Sequence, residues 1–435
     1  MREAPTKFSR STISVPVQTT GISKKINHPS TTIHKRKGRK SMKEKYVILR
    51  KGGTFMTHGA FAGPTGTVLE TMSSAPTLEV NVDEVSKKDI RALQRDKSVE
   101  GAAQIMPMKL IEPMAVTDVA SPAAGGVTWG VKAVRADTSP YSGDGIIVAV
   151  LDTGIDATHP AFSGVQLVQE DFTGEGNGDT HGHGTHCAGT IFGRNVNGLR
   201  IGVAPGVKKA LIGKVIGRQG ASTDQLWRAI QWAVDNGANI ISMSLGMDFP
   251  GYVKYLMDVE NIPAEPASSR ALEAYRANVL LFQDLARFIN SQASFIQGTV
   301  VIAAAGNESN RPLWEIAVAP PAVATGIVSV AALGEGTGGL VVAVFSNTGA
   351  EVSAPGVGII SAKLGGGLAS MDGTSMATPH VAGVAALWAE KIKKNLAITP
   401  GKLIADVVGN SSIAELATGF DAVDIGNGLV LAPQQ

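Results

Sequence analysis

The sequence predicts a three-layer αβα domain with a mostly parallel sheet, preceded by a small α+β domain. The main observation is that short apolar, β-branched runs alternate with helical patterns after Trp129. Such runs suit strands that are buried on both faces between helices. They cover residues 145–152, 209–216, 238–246, 298–307 and 326–333. In sheets of this kind, active sites gather at the carboxyl ends of the strands.

The clearest helix of this region covers residues 223–237. Its apolar residues fall on one helical stripe, formed by Leu226, Ile230, Ala233 and Val234. Gly237 then provides the kind of ending that helices favour. Strand, helix and strand thus follow one another, as the α/β class requires.

Residues 45–112 predict the smaller α+β domain. Segments 45–50 and 77–82 have strand character, and residues 102–111 are expected to supply a last strand. Residues 86–96 predict a helix, with Ser86 as N-cap and Asp89 in a variant of the capping box. After this domain, residues 114–128 are small and aperiodic, which is typical of a linker.

Charge is distributed unevenly along the 435 residues. Residues 1–44 carry eleven Lys and Arg against two Glu, a balance of +9, whereas the remainder carries 28 basic against 35 acidic side chains, or −7. The basic run 34–40 would suit nucleic acid or an anionic membrane. A tail rich in Ser, Thr and Lys is more often disordered, and a start at Met42 would leave it outside the working protein. Because the rest of the chain is acidic, we expect no nucleic-acid partner.

The sequence carries no visible targeting signal. The region near the N-terminus lacks the apolar core of a signal peptide, and no run approaches the roughly 18 apolar residues of a membrane span. The single cysteine, Cys187, cannot form an internal disulfide. We therefore expect no membrane span, and a location either in the cytoplasm or outside it by a non-standard export route.

Three histidines and the cysteine crowd into residues 181–187, which read HGHGTHC. A metalloprotease helix would place two histidines four apart with a glutamate between them, but His183 and His186 are three apart and the glutamate is missing. Catalysis needs only one histidine, with a nucleophile and an orienting carboxylate elsewhere. We therefore expect no metal here and look for those partners.

Three residues elsewhere could be the partners. Asp152 stands where a buried strand opens into DTGID, as an orienting carboxylate or as an Asx-turn residue. Ser375 lies at the start of an apolar helix, as a nucleophile near free N–H groups or simply as an N-cap. Asn307 ends the strand segment AAAGN, as a turn former or as a donor to an oxyanion.

Five segments together resemble the signature blocks of the subtilisin-like serine peptidases, in that family's order. They are VAVLDTGID, HGTHCAGT, MSLG, AAAGNE and GTSMATPHVAG, and the similarity covers about residues 129–430. The resemblance implies a serine endopeptidase in which Asp152, His183 and Ser375 form the triad and Asn307 is the oxyanion donor. His181 and His186 would be bystanders. Cys187 is similar to a cysteine of the proteinase K-like branch and would be a small buried residue near the site.

The resemblance also implies how substrate binds. Ser244, Leu245 and Gly246 would pair with the substrate backbone and wall the main specificity pocket, and the opposite wall would consist of Ala303, Ala304 and Gly306. The pocket floor is not placed, because residues 310–326 depart from the family pattern. No cofactor is implied for the chemistry. Structural calcium is common among relatives, but no ligands can be assigned.

Residues 45–112 resemble, more weakly, a subtilase propeptide, with an unrelated accessory domain as the alternative. The implied organisation is a basic disordered tail (1–44), a propeptide-like inhibitor and folding aid (45–112), a linker with the self-cleavage site (113–126) and the catalytic domain (127–435). The protein would be a monomeric zymogen, inhibited by its own prosegment and acting on proteins or peptides.

Two further predictions concern departures from the family. The helical segment 271–289 belongs to an unusually long connection, in which residues 247–268 would form a lid or rim that narrows substrate choice. The alternative function is a catalytically silent module of the same fold that binds peptides. A substitution in the triad would support it, and the sequence shows none.

Overall fold

The computed structural model describes residues 43–62, 68–93, 95–119, 125–293 and 297–435. Residues 1–42 of the basic tail lie outside this part of the chain. The described residues belong to one compact unit.

The small α+β domain contains a three-stranded antiparallel sheet. It consists of β1 (Lys43–Ala62), β2 (Val68–Ser86) and β3 (Val99–Gln104), in the order β2-β1-β3. Helix α1 (Lys87–Leu93) follows β2 and ends three residues before the predicted boundary. One of the two bonds of the predicted capping box is present, since the Ser86 backbone N–H donates to the Asp89 carboxylate over 3.3 Å. The Ser86 hydroxyl also donates to this carboxylate, over 2.6 Å.

The prediction of one last strand over 102–111 is wrong, because this segment divides in two. Strand β3 ends at Gln104, and a separate strand, β4 (Pro107–Leu110), leaves the small sheet. It pairs antiparallel with Leu245–Met247 on one side and with Ala221–Ser222 on the other. Pro107 has no N–H to continue a ladder, so the chain changes partners near this residue.

The larger domain is built on a mostly parallel sheet. The remaining strands of the chain are β5 (Ala115–Val119), β6 (Gly126–Val127), β7 (Ile147–Asp152), β8 (Gln166–Asp171), β9 (Leu199–Arg200), β10 (Lys209–Lys214), β11 (Ala221–Ser222), β12 (Ile240–Met243), β13 (Leu245–Met247), β14 (Val300–Ala304), β15 (Ile327–Gly336), β16 (Gly339–Val342), β17 (Val352–Pro355), β18 (Ile359–Ala362) and β19 (Leu368–Asp372). The sheet order is β16-β15-β14-β12-β7-β10-β8, with β17 beside β15, and only the β15–β16 pair is antiparallel. All five predicted strand segments contribute to this sheet.

Helices cover both faces of the sheet. They are α2 (Trp129–Ala133), α3 (His183–Phe192), α4 (Thr223–Asp235), α5 (Phe249–Asp258), α6 (Ala264–Gln292), α7 (Thr374–Lys393), α8 (Pro400–Gly409) and α9 (Ala422–Ile425), with one 3-10 turn at Pro160–Phe162. Alternate residues of β7 enter two separate cores. Val148 and Val150 pack with α3 and α7, whereas Ala149 and Leu151 pack with α4 and α6. The three-layer αβα prediction is therefore confirmed.

Helix α4 has the predicted apolar stripe and the predicted end. All four stripe residues are buried, and Gly237 adopts a left-handed φ of +84° just past the helix. Its start carries a capping box that joins Ser222 and Gln225. No helix in the described part of the chain has both the length and the apolarity needed to cross a membrane.

The long connection after β13 forms two helices, α5 and α6. The predicted helix 271–289 is the central part of α6, which is 29 residues long. The α6 helix packs on the small domain, where the Asn278 amide donates to the Gln104 carbonyl over 2.8 Å and Arg270 pairs with Glu44 at 2.5 Å. This connection therefore joins the two domains.

The segment predicted as an aperiodic linker contains a strand. Residues 115–119 form β5 on the edge of β19, and residues 126–127 form β6 beside β9, while 120–124 lie outside the described residues. A strand at a sheet edge is held by main-chain hydrogen bonds, so it needs no apolar periodicity. The chain thus runs on both sides of Glu112 as a paired strand.

Candidate active site

Asp152 and His183 meet at the carboxyl end of the central strand β7. Asp152 ends the strand, and His183 is the first residue of α3. Both side chains are almost fully buried, and the His183 Nδ1 atom lies 2.8 Å from Asp152 Oδ1. Asp152 is held in turn by the Thr153 backbone N–H, which donates to the same oxygen over 2.7 Å.

This pairing shifts the protonation of His183. Burial opposes a charged imidazole, but the Asp152 carboxylate and its hydrogen bond outweigh burial and raise the pKa of His183 well above its ordinary value. An imidazolium at this position is therefore stabilised by the fold. His183 Nε2 is buried and, within the described part of the chain, has no hydrogen-bond partner.

Ser375 lies in the first turn of α7, close to the dipole's positive end. Its backbone N–H is among the first four of the helix, which have no partner within the helix. The Ser375 hydroxyl is buried and donates to the carbonyl oxygen of Ile111 over 2.8 Å. The hydroxyl therefore contacts a carbonyl of the protein's own chain.

Pro379 explains how the Ser375 backbone is anchored. A proline has no N–H, so the carbonyl of Ser375, four residues earlier, receives no helical hydrogen bond. That carbonyl instead accepts from Cys187 Sγ and from Ser244 Oγ, each at 3.4 Å. The proline thus frees an acceptor that ties α7 to α3 and to the segment after β12.

Asn307 follows β14 and faces the start of α7. Its Oδ1 atom accepts from the backbone N–H and the hydroxyl of Thr374 over 2.9 and 2.8 Å. Its Nδ2 atom donates to the Glu112 carbonyl over 2.8 Å. The amide is therefore oriented with its N–H donor towards the segment that contacts Ser375.

The segment that contacts Ser375 lies beside β13 as an extra strand. We refer to the cleft that this strand occupies as the groove. In β4, Lys109 pairs with Gly246 and Leu110 with Leu245. The Ile111 N–H donates to the Ser244 carbonyl over 3.2 Å, and the Ile111 side chain is buried. A β-carbon at Gly246 would lie 3.7 Å from Ile111 Cδ1, so this wall follows the Ile111 side chain closely. Ser244, Leu245 and Gly246 thus pair with this strand of the chain itself, and that they bind substrate and wall the specificity pocket stays a prediction.

The opposite wall is less fully defined. Ala303 and Ala304 are buried in β14, and Gly306 has a left-handed φ of +117°, where a β-carbon would lie 2.2 Å from Asn347 Nδ2. Gly306 is therefore required by the turn that presents Asn307. That these three residues line the specificity pocket stays a prediction.

The other two histidines are placed differently. His186 is buried, with Nε2 3.0 Å from the Ile359 carbonyl, and burial lowers its pKa to about 3. It is a neutral packing residue. His181 is exposed, and its Nε2 lies 3.5 Å from the Glu112 carboxylate. Cys187 is buried beside His183, and burial raises the pKa of its thiol.

Asp179 supports the site but was not singled out from the sequence. Its carboxylate accepts from the Thr153 hydroxyl at 3.0 Å, the Gly182 N–H at 2.9 Å and the Thr185 hydroxyl at 2.6 Å. Burial works to raise the pKa of Asp179, but these hydrogen bonds outweigh burial and lower the pKa. Asp179 thereby ties the turn after β7 to the start of α3. Its only sequence signal is its position two residues before the HGHGTHC segment.

In the described part of the chain, one cluster of side chains has potential metal-ligand atoms close together. It consists of Asp152, His183 and Cys187, whose ligand atoms lie within 4.8 Å of one another. The Nδ1 atom of His183 already shares a hydrogen bond with Asp152, and Ca²⁺ prefers six to eight oxygen ligands. This group does not fit calcium, and no calcium ligands are assigned.

Comparison with known proteins places the site in a family context. The model described as "Subtilase family" matches residues 143–420, which include Asp152, His183, Asn307 and Ser375. The chain is 33% identical over 333 residues to the M-protease of Shouchella clausii, covering 74% of this chain and 72% of that protein. It is 32% identical over 333 residues to the alkaline protease of Alkalihalobacillus alcalophilus, with the same coverage of 74% and 72%. It is also 34% identical over 278 residues to Subtilisin Savinase of Lederbergia lenta, covering 62% of this chain and 86% of that protein.

Proposed function

This chain belongs to the subtilase family and is a serine endopeptidase, and from that premise we propose that Asp152, His183 and Ser375 form its catalytic triad. The observation that carries the proposal is the strand seated in the groove, which brings the Ile111 carbonyl to the Ser375 hydroxyl at 2.8 Å. The buried contact between Asp152 and His183 supports it independently.

In the proposed reaction, Ser375 Oγ attacks the carbonyl carbon of the substrate while His183 Nε2 takes the hydroxyl proton. The bond to the leaving nitrogen then breaks, and the same Nε2 donates the proton to that nitrogen. Water hydrolyses the resulting ester on Ser375. Asp152 fixes the imidazole tautomer and stabilises the imidazolium through Nδ1. No cofactor takes part in these steps.

The negative charge on the carbonyl oxygen would be stabilised by the Asn307 amide and the Ser375 backbone N–H. In a subtilisin, removal of one such side-chain donor costs roughly 10² to 10³ in turnover, and we expect a loss of similar size here. Asn307 is suited to this role because Thr374 holds its Oδ1 and so directs Nδ2 into the groove, where it donates to the Glu112 carbonyl.

We further propose that the chain is made as a zymogen that cleaves itself between Ile111 and Glu112. Pairing of Lys109 with Gly246 and of Ile111 N–H with the Ser244 carbonyl supports Ile111 as the residue before the bond. Its apolar side chain is buried in the groove. For attack, the Asn307 amide would move from the Glu112 oxygen to the neighbouring Ile111 oxygen. This bond lies just before the range 113–126 expected from the sequence.

The next bond, between Glu112 and Pro113, is the weaker candidate. It is the carbonyl of Glu112 that Asn307 now contacts. Its leaving group would be a proline nitrogen, however, and the Glu112 side chain is exposed and near His181 rather than in the pocket. After cleavage, residues 45–111 would remain bound as a product-like inhibitor, and the mature enzyme would be a monomer acting on proteins or peptides.

Intact-mass measurement of the wild type and of Ser375→Ala, expressed in parallel, tests the proposal. Cleavage after Ile111 removes 111 residues, which is about 11 kDa when 45.0 kDa is scaled by length. The wild type is expected to lose this piece, and Ser375→Ala is expected to stay intact. The mass of the new N-terminus distinguishes Glu112 from Pro113. If both proteins remain intact while the wild type still hydrolyses peptides, the zymogen model fails and the triad stands.

A further inference from the structure

Lys109 of the groove strand lies between two carboxylates, Asp248 and Glu308. Its Nζ atom is 3.6 Å from Asp248 Oδ1 and 3.4 Å from Glu308 Oε1. Asp248 follows β13 on one wall of the groove, and Glu308 follows Asn307 on the other. We refer to Asp248 and Glu308 as the acidic pair.

Both members of the acidic pair are held by contacts that do not involve Lys109. Asp248 is the N-cap of α5, where its Oδ1 accepts from the Gly251 N–H at 3.2 Å. Glu308 Oε2 accepts from the Asn347 amide at 2.8 Å. The two carboxylates therefore keep their places when the groove strand leaves.

Within the described residues, no side-chain nitrogen of another Lys, Arg or His lies within 4.0 Å of the carboxylate oxygens of the acidic pair. Departure of the groove strand thus leaves two neighbouring carboxylates without a cation. Like charges that face one position of a groove favour a basic side chain there and disfavour an acidic one.

The backbone pairing assigns this position in a substrate. Lys109 pairs with Gly246 and lies two residues before Ile111, so its side chain occupies the third position before the cleaved bond. We propose that the acidic pair makes the enzyme select substrates with Lys or Arg at this third position. This inference rests on the proposed function and on Ile111 as the residue before the bond.

The expected preference is modest because all three side chains are partly exposed, with 43% of Lys109, 31% of Asp248 and 42% of Glu308 accessible to solvent. Exposed ion pairs contribute little individually, so two of them should give a preference of about threefold to tenfold in kcat/KM. The preference should shrink at high salt, which screens exposed charges.

The test uses the mature enzyme and three peptides, succinyl-Met-X-Leu-Ile-p-nitroanilide with X as lysine, norleucine or glutamate. The anilide fixes which bond is cleaved. Lysine should exceed norleucine by about threefold to tenfold, and glutamate should fall below norleucine. The lysine preference should decline from about 0.05 to about 0.5 M NaCl.

Variants identify the carboxylates responsible. The double variant Asp248→Asn and Glu308→Gln should bring the lysine-to-norleucine ratio to about one, and asparagine keeps the helix cap of α5. Glu265→Gln removes an equal charge from an exposed site on α6 and should keep the ratio of the wild type.

Two results would overturn the inference while leaving the proposed function intact. One is a wild-type ratio of about one, and the other is a lysine preference that persists in the double variant. Failure of the wild type to hydrolyse any of the three peptides would refute the proposed function itself, and the inference with it.

Discussion

Gly184, in the first turn of α3, packs tightly against the turn after β7, and it offers a sharp test of the proposed triad geometry. A β-carbon at this position would lie 2.2 Å from the Gly154 carbonyl oxygen and 3.2 Å from Asp152 Cβ. The Gly184 N–H also donates to the Thr153 hydroxyl at 2.9 Å. Gly184→Ala must therefore push the start of α3 away from the turn that carries Asp152.

The size of the effect follows from this contact. Ordinary carbon–oxygen contact begins at about 3.4 Å, so the two backbones must separate by roughly 1 Å. The 2.8 Å hydrogen bond between His183 and Asp152 joins those same two segments. A misplacement of about 1 Å can cost about 10² in rate, and loss of the correct imidazole tautomer about 10⁴. We expect kcat to decrease by a factor between these two values. The free energy of unfolding should decrease by about 1 to 3 kcal/mol.

Peptide hydrolysis by Gly184→Ala should be measured against the folded fraction, which circular dichroism and urea unfolding provide. Gly409→Ala is the matched control, because a β-carbon at this exposed end of α8 would meet nothing within 4 Å. It should keep wild-type activity and gain up to about 1 kcal/mol. A folded Gly184→Ala enzyme with a rate within about threefold of the wild type would refute the packing argument.

Three other predictions concern the same region. The His183 imidazole must be neutral to accept a proton, and Asp152 raises its pKa against the effect of burial, so kcat/KM should fall as pH drops through this raised pKa. Asp152→Asn should therefore move the acidic limb of the residual pH–rate profile to lower pH, and an unmoved limb would contradict this cause. A mercurial should inactivate the wild type but should not inactivate Cys187→Ala. The turnover of this variant without mercurial should be lower than that of the wild type by less than about tenfold, because only the thiol contact to the Ser375 carbonyl is lost. Arg270→Met leaves Glu44, in the prosegment, without its largely buried partner. The prosegment should then be held less tightly, so the lag before peptidase activity should shorten by at least about fivefold. An unchanged lag would show that this ion pair does not hold the prosegment.

The sequence predicts five of the eight strands in the main sheet and misses β8, β16 and β17, while the residues of the proposed triad follow from the family motifs. Buried parallel strands are continuous apolar runs, so the sequence predicts β7, β10 and β14 without any tertiary information. Asp152 and Asn307 each directly follow or end such a run, and parallel strands bring these ends to one edge of the sheet. The assignment of roles came from the resemblance, because position alone left an Asx turn, an N-cap and a turn former as alternatives.

The partners of individual strands could not be predicted in the same way. Residues 102–111 have one continuous β-like composition, yet β3 pairs within the small sheet and β4 pairs with β13. Local propensity describes whether a segment suits a strand, but the choice of partner depends on which edges the rest of the fold leaves open. The groove offers such an edge on each side of β4, and this long-range fact has no local sequence signal.

Asp179 and Pro379 show a second limit, because each acts through a backbone group that it holds or releases. From local rules alone, a proline is tolerated near the start of a helix, and Pro379 lies in such a position in α7. In the structure its missing N–H leaves the Ser375 carbonyl free, and both Cys187 and Ser244 donate to it. An alanine at this position would restore the helical bond and compete with both donors. A residue that breaks a local rule of helix formation therefore lies where the helix must be joined to its neighbours rather than satisfied within itself.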